Sequence, residues 1–264
     1  MKVYISVDIE GVVGSTDWRE TELGDPIHAR AARQMKEEAL AACRGAIDAG
    51  ADEIYVHDAH DSGLNMWIDE FPENVTFIRS WTYTPDSMFA GIDESFDAGI
   101  CIGYHSEGGS AGNPLAHTMD HKNIFHVRID GEYASEMEIN RYICAKYKVP
   151  MVFVSGDISL CEKAKRVIPG VTTVWTKDGN GAATFNRSPK LVLDEIQKGV
   201  KEALLKEPTE VPEDKGYELE ICYREHPGAN KASYYPGVER VDAHTVRYQA
   251  KDLKDLVTTF YFIH

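Results

Sequence analysis

The chain has 264 residues with 28 Lys or Arg and 43 Asp or Glu, which gives a formal net charge of −15. This length can bury a sizeable core, and the negative charge argues against nucleic acid or an anionic membrane as the main partner. No apolar run is long enough to span a bilayer, and the first residues, MKVYISVDIEG, lack the apolar core of a signal peptide. A cytoplasmic location is therefore expected, with the five scattered cysteines reduced and mostly buried.

The first two thirds of the sequence alternate between strand and helix patterns. Residues 2–9 predict a first strand, and residues 28–49 place apolar side chains at helical spacing before Gly50, a common helix stop. Further predicted strands are EIYVHDAH, VTFIRS, AGICIGYH, IFHVRIDG, MVFVSGD and VTTVWTK, and further predicted helices are 135–147, 158–167 and 188–206. This alternation predicts an α/β fold, with a three-layer α/β/α main domain and a mostly parallel or mixed sheet.

A Pro-rich, charged segment over residues 207–216 predicts a linker. After it, YELEICYRE and VERVDAHTVRYQA are strand-like, and DLKDLVTTFYFIH predicts a closing helix. We therefore predict a main domain over 1–206 and a small α+β domain over 217–264. The aromatic residues of ASYYPG and TTFYFIH are of the type enriched at interfaces, so the small domain is expected to serve oligomerisation.

Acids and histidines follow several predicted strands. A lone acid or histidine at a strand end is more often solvated or hydrogen-bonded than metal-bound. Here three successive strand-type segments end in this way, at a sheet edge where α/β proteins usually bind ligands. The side chains concerned are Asp8, Glu10, His57, Asp58, His60 and His105. This pattern predicts a metal site in the 1–206 domain, with the choice between His57 and His60 left open.

The helix predicted over residues 135–147 adds one acid to this set. At 100° per residue, Glu136 lies in the middle of the apolar stripe, where an unpaired carboxylate is costly and must be protonated, paired or metal-bound. Glu138 lies on the opposite side and Glu132 at the preceding turn, so both are expected to be solvated. Two loop histidines, His117 and His121, follow His105 and are further candidates for the site.

The candidate ligands are carboxylates and imidazoles without a thiolate, a set that suits Zn²⁺, Mn²⁺ or Fe²⁺. Five ligands, three of them carboxylates, exceed what one tetrahedral zinc needs, whereas two metals that share a bridging carboxylate use all of them. Such a pair activates water near neutral pH, which predicts a hydrolase. Dinucleotide, P-loop and nucleophile-elbow motifs are absent, and KDGNGAATF (177–185) is either a plain loop or a substrate contact.

Several motifs, taken together and in order, resemble the family of DppA-type D-aminopeptidases. They are SVDIEG, HDAH with its final His60, GYH with His105, AHTM with His117, and Glu136 in the following helix. The resemblance extends over nearly the whole chain, including VPMVFVSGD, IPGVTT and VRYQAKD. It implies two zinc ions per subunit, hydrolysis of short peptides or amides with an N-terminal D-residue, and a ring-like homodecamer with active sites facing an internal channel.

The resemblance also implies a role for each matching residue. Asp8 would bridge both metals, Glu10 and His60 would complete one site, and His105 and Glu136 would complete the other. His117 would be the catalytic nucleophile; its chemistry also permits a general acid or base. The chain departs from the family pattern by the acids Glu132 and Glu138 and by Asp120 and His121 after His117, a difference that bears on substrate preference.

Two alternative functions are a dinuclear hydrolase of another bond, such as a phosphoester or a different amide, and a peptide-binding protein that works with a transporter. A phosphoesterase is expected to place Arg or Lys near its metals. The ligand motifs have only Lys122 and Lys177 nearby. A binding protein would need its metals only structurally, and would not keep a coordination position open for water.

Overall fold

The computed structural model describes all 264 residues. The strands are β1 (Lys2–Val7), β2 (Glu53–Asp58), β3 (Val75–Ile78), β4 (Ala98–Tyr104), β5 (Ile124–Ile129), β6 (Glu132–Tyr133), β7 (Met151–Asp157), β8 (Thr172–Asn180), β9 (Ala183–Asn186), β10 (Tyr217–Tyr223), β11 (Glu239–Arg240) and β12 (Thr245–Ala250). The α-helices are α1 (His28–Asp48), α2 (Glu136–Lys146), α3 (Ile158–Val167), α4 (Pro189–Leu205), α5 (His226–Ala232) and α6 (Leu253–Ile263). None of these helices combines the length and the apolar character that crossing a membrane requires.

The main sheet has seven strands in the order β3-β2-β1-β4-β7-β8-β9. All neighbouring pairs are parallel except β8 and β9, which form an antiparallel hairpin. The chain builds outward from β1 to β3 on one side and then returns to place β4 on the other side of β1. The carboxyl ends of β1 and β4 therefore lie at a topological switch point, the usual ligand position in such sheets.

Helices cover both faces of this sheet. The side chains of β1 alternate between the two faces and therefore enter two different apolar cores. Val3, Ile5 and Val7 pack in the core formed with α1 and α4. Tyr4 points the other way, into the core formed with α2 and α3. The predicted fold class, an α/β protein with helical layers on either side of a mostly parallel sheet, is confirmed.

A second sheet has five antiparallel strands in the order β11-β12-β10-β5-β6. The helix α6 packs against β10, β12 and α2, and thereby joins this sheet to the main core. The second sheet takes strands from both sides of the predicted linker, 207–216. The division into a domain over 1–206 and a domain over 217–264 stays a prediction.

The first strand ends at Val7, two residues before its predicted end, because the chain turns there against the end of β4. The amide of Asp8 donates to the carbonyl of Ile102 over 2.9 Å, and the amide of Gly11 donates to the carbonyl of Gly103 over 2.8 Å. A Cβ on Gly11 would lie 1.6 Å from the carbonyl oxygen of Tyr104, so only glycine permits this approach. Asp8 and Glu10 therefore both follow the strand, and Glu10 lies in the turn.

Other elements differ from the sequence prediction in the glycine-rich segments. KDGNGAATF forms the paired ends of β8 and β9 and the turn between them, with Gly181 at a φ of 60°. The short helix α5 was not predicted, since it begins at a proline-containing segment with weak helical periodicity. VERVDAHTVRYQA divides into β11 and β12 around a turn rather than forming one strand.

Candidate metal centre

The carboxyl ends of β1, β2 and β4 open into a cavity of about 470 Å³. Predicted site residues on its wall are Asp8, Glu10, His60, His117 and Glu136. His105 lies directly behind them and is fully buried. The parallel sheet brings these side chains together from segments up to 128 residues apart, numbered 8 to 136 in the chain.

The first ligand group consists of Asp8, Glu10 and His60. The Nδ1 atom of His60 lies 3.2 Å from Oδ1 of Asp8 and 3.0 Å from Oε2 of Glu10. The other ring nitrogen, Nε2, lies 2.8 Å from the carbonyl oxygen of Thr21. Because a carbonyl only accepts, Nε2 carries the proton in the neutral ring, and Nδ1 directs a lone pair at the two acids.

The second ligand group consists of His105 and Glu136, and His117 lies beside them. The Nε2 atoms of His105 and His117 lie 3.5 Å and 3.4 Å from Oε1 of Glu136. Each ring donates from Nδ1 to a backbone carbonyl, His105 to Ser106 over 3.0 Å and His117 to Leu115 over 2.9 Å. The two rings stack with centroids 4.2 Å apart. Both Nε2 lone pairs therefore face the same carboxylate.

Asp8 connects the two ligand groups. Its Oδ1 faces His60, and its Oδ2 lies 3.4 Å from Nε2 of His105. One carboxylate thus presents one oxygen to each group.

Several polar atoms of this cluster have no hydrogen-bond partner in the protein. Oδ2 of Asp8, Oε2 of Glu10 and Nε2 of His105 are buried without a hydrogen-bond partner. Burial, together with the charge of Glu10, raises the pKa of Asp8 to about 8. Because lone pairs from acids and imidazoles converge in a buried space, the cluster requires cations or extra protons. Its oxygen and nitrogen donors fit zinc.

Of the two histidines between which the sequence left the choice open, His60 lies in this cluster, whereas His57 and Asp58 lie outside it. Both ring nitrogens of His57 face backbone carbonyls, those of Met88 and Ser80, at 3.0 Å and 3.2 Å. The carboxylate of Asp58 accepts from the amides of Asn65 and Met66 over 2.6 Å and 2.7 Å and holds the loop after β2.

Glu136 is buried, as its place in the apolar stripe of the helix predicted. The prediction that Glu138 is solvated is wrong. Glu136 is the first residue of α2 and points into the site, where the amide of Met119 donates to it over 2.7 Å. Glu138 completes a capping box with Ser135 and lies 2.8 Å from Nζ of Lys163. Lys163 belongs to α3, so the helical phase of α2 alone did not reveal this ion pair.

The remaining candidates lie around the cavity. His121 stacks on Trp18 with centroids 3.9 Å apart, and both rings line the wall. Lys122 lies at the same wall, 3.8 Å from a carboxylate oxygen of Glu22. Lys177 is fully buried outside the cavity and donates to the carbonyl of Glu10 over 2.6 Å.

Sequence reasoning missed four residues that support the site: Trp18, Thr21, Asn113 and Asp157. Trp18 begins a 3-10 helix of only three residues, and Thr21 and Asn113 lie in irregular segments, so no periodicity distinguishes them. Asp157 ends the strand β7, so the same search for acids at strand ends that found Asp8 could have found it.

The sequence and the fold match known proteins. A family model described as D-aminopeptidase matches residues 1–262. The chain belongs to the D-aminopeptidase family. A D-aminopeptidase of Bacillus subtilis (strain 168) is 30% identical over 269 residues, which cover 96% of this chain and 93% of that protein.

A solved structure agrees with this assignment over the full fold. It is described as the Zn-dependent D-aminopeptidase DppA from Bacillus subtilis, a self-compartmentalizing protease. It matches with a TM-score of 0.92 and 26% identity, and the match covers 100% of this chain and 96% of that one. Membership of the D-aminopeptidase family confirms the predicted resemblance and the predicted enzyme class, an aminopeptidase.

The Glu138–Lys163 pair gives a prediction for stability that is independent of the ligand groups. We expect Glu138→Gln to lower the free energy of unfolding by about 1.5 kcal/mol, because the nearly buried Lys163 loses one of its two charged partners and keeps only Glu107 at 3.1 Å. The matched control is Glu132→Gln, which changes an exposed acid and should stay within about 0.5 kcal/mol of the parent. Urea unfolding of the metal-free proteins measures both. Equal stability of the two variants would show that the ion pair contributes nothing.

Proposed function

We propose that this chain is a dinuclear zinc aminopeptidase that removes N-terminal residues, D-residues in particular, from short peptides or amides. The observation that carries the proposal is the position of Asp8, whose two oxygens face two separate groups of buried ligands. Zinc is further supported by the match to a structure described as Zn-dependent.

The proposed ligands divide between two ions. Glu10 and His60 would hold one ion, His105 and Glu136 would hold the other, and Asp8 would bridge them. Two zinc ions held in this way would supply Lewis-acid polarisation of the scissile carbonyl and a water activated near neutral pH. The protein orients the imidazoles through the carbonyls of Thr21 and Ser106, and such outer contacts set the tautomer of a ligating histidine.

His117 is the proposed catalytic residue. Burial lowers its pKa, which favours the neutral imidazole near pH 7. Its Nδ1–H donates to Leu115, so the lone pair on Nε2 is available at the cavity wall. A neutral imidazole in this position can attack the scissile carbonyl or accept a proton from the attacking water.

The cavity suits a short peptide with a free amino terminus. Glu22, Asp61 and Asp120 line it and favour a substrate ammonium group. Trp18, Trp81 and Met119 provide apolar walls for a side chain. The only lysine on the wall is Lys122, which faces Glu22, so nothing in the cavity favours the phosphoester alternative.

We further propose a ring-shaped homodecamer in the cytoplasm. The solved relative is described as self-compartmentalizing, which supports an assembly of several subunits. Aromatic side chains of the type common at interfaces are exposed near the C-terminal helix and the cavity: Tyr83, Tyr234 and Phe262 are 80%, 82% and 60% exposed.

Elemental analysis and chelation test the proposal. We expect zinc-loaded protein to contain about two zinc ions per chain and a chelator to abolish hydrolysis of D-aminoacyl amides. Glu136→Gln should lose zinc, because an amide replaces a ligating carboxylate. Less than one ion per chain, together with hydrolysis that survives chelation, would contradict the proposal. A chelator-sensitive protein without hydrolytic activity would favour the transporter-associated binding protein instead.

The role of His117 has its own test. We expect His117→Ala to keep its zinc and fold but to lose at least about 10²-fold in kcat, the low end for a positioned acid or base. The control is His226→Ala, an exposed histidine on α5, which should keep the parent kcat. Unchanged kcat in His117→Ala would remove His117 from the mechanism. Loss of zinc in that variant would instead make His117 a sixth ligand.

A further inference from the structure

Asp157 is a fully buried carboxylate that lies behind the cavity wall and does not line it. Its Oδ1 accepts from the amide of Leu160 over 2.9 Å and caps α3. Its Oδ2 accepts from the amide of Ser106 over 2.7 Å, from the hydroxyl of Ser106 over 3.1 Å and from Nδ2 of Asn113 over 3.2 Å. Four donors thus satisfy one carboxylate, three of them from the loop that follows β4.

The contact with Ser106 leads to the second ligand group. The amide and the hydroxyl of Ser106 both point at Asp157, which fixes the orientation of this residue. The carbonyl of Ser106 in turn accepts from Nδ1 of His105 over 3.0 Å. This bond leaves Nε2 of His105 to face Asp8 and Glu136.

The contact with Asn113 leads to the first ligand group and to His117. Nδ2 of Asn113, which donates to Asp157, also donates to the carbonyl of Glu10 over 3.1 Å. Oδ1 of Asn113 accepts from the amide of Leu115 over 2.9 Å, and the carbonyl of Leu115 accepts from Nδ1 of His117. A single buried acid therefore connects to residues on both sides of the bridging Asp8.

We propose that Asp157 is a positioning residue that orients His105, Glu10 and His117 together, through Ser106 and Asn113, so that both metal positions form at once. The inference rests on the proposed function, since it concerns the affinity for the two ions. Hydrogen bonds behind the ligands fix their direction, and loss of such a partner commonly costs 10-fold to 100-fold in metal affinity. The negative charge of Asp157 also adds to the field that attracts cations.

A helix cap alone would also explain a buried aspartate at the start of α3, and the chain offers a matched control. Asp252 is the N-cap of α6 and accepts from the amide of Asp255 over 2.7 Å. Asparagine caps helices about as well as aspartate. Asp157→Asn and Asp252→Asn therefore both keep a cap, but only the first replaces the acceptor of Ser106 and Asn113 by an NH₂ group.

Competition with a chromophoric chelator measures the zinc affinity of the full-length metal-free proteins. We expect Asp157→Asn to bind zinc about 10-fold more weakly than the parent, the low end for direct partners of metal ligands, because it acts through Ser106 and Asn113. We expect Asp252→Asn to bind as the parent does. Parent affinity in Asp157→Asn would overturn the inference while leaving the proposed function intact. A parent protein that binds no zinc would refute the proposed function itself.

Two milder variants decide the matter if Asp157→Asn does not fold. Ser106→Ala removes one donor to Asp157, and Asn113→Ala removes the links to Glu10 and Leu115. We expect both to weaken zinc binding, Asn113→Ala more than Ser106→Ala, with cooperative unfolding retained. Parent zinc affinity in both variants would overturn the inference.

Discussion

The main constraint on this structure is the charge of three buried carboxylates beside imidazole lone pairs, because that charge must be neutralised. Asp8, Glu10 and Glu136 lie in one buried cluster, and no lysine or arginine side chain pairs with any of them. Unpaired buried charges of this kind are strongly unfavourable. Two divalent cations would neutralise the acids and occupy the space to which the unsatisfied atoms point. In the metal-free protein the neighbouring acids raise the pKa values of His60 and His105, so protonated imidazoles offset part of this charge. The proposed dinuclear centre would take the place of those protons.

The fold holds these groups together by means of the parallel sheet and the turn after β1. At the switch point between β1 and β4, the residues that follow each strand approach one another, and Gly11 allows the turn to lie directly against β4. Lys177 and Asn113 then hold the carbonyl of Glu10 from behind. The proposed ligands thus depend on contacts between segments distant in sequence, which explains why a change at Asp157, behind the cavity wall, is expected to alter metal affinity.

The position of residues at strand ends and the phase of one helix were enough to predict Asp8, Glu10, His105 and Glu136 as neighbours, because parallel strands deliver their ends to one edge. The same reasoning left His57 and His60 undecided, since the answer depends on the carbonyls of Met88 and Ser80, which are distant in sequence. It also misjudged Glu138, whose partner lies on another helix. Local patterns predict which elements form; contacts between distant segments decide which polar groups are satisfied.

The central claim is that Asp8 bridges two metal ions, and X-ray absorption at the zinc edge tests it most directly. In protein loaded with two zinc ions per chain, the account predicts oxygen and nitrogen neighbours at about 2.0–2.2 Å and a zinc–zinc distance of about 3.5–4 Å. Replacement of Asp8 by Asn should remove the zinc–zinc signal. A fully loaded parent protein without any zinc–zinc signal would contradict the account, because its ions would then occupy separate sites.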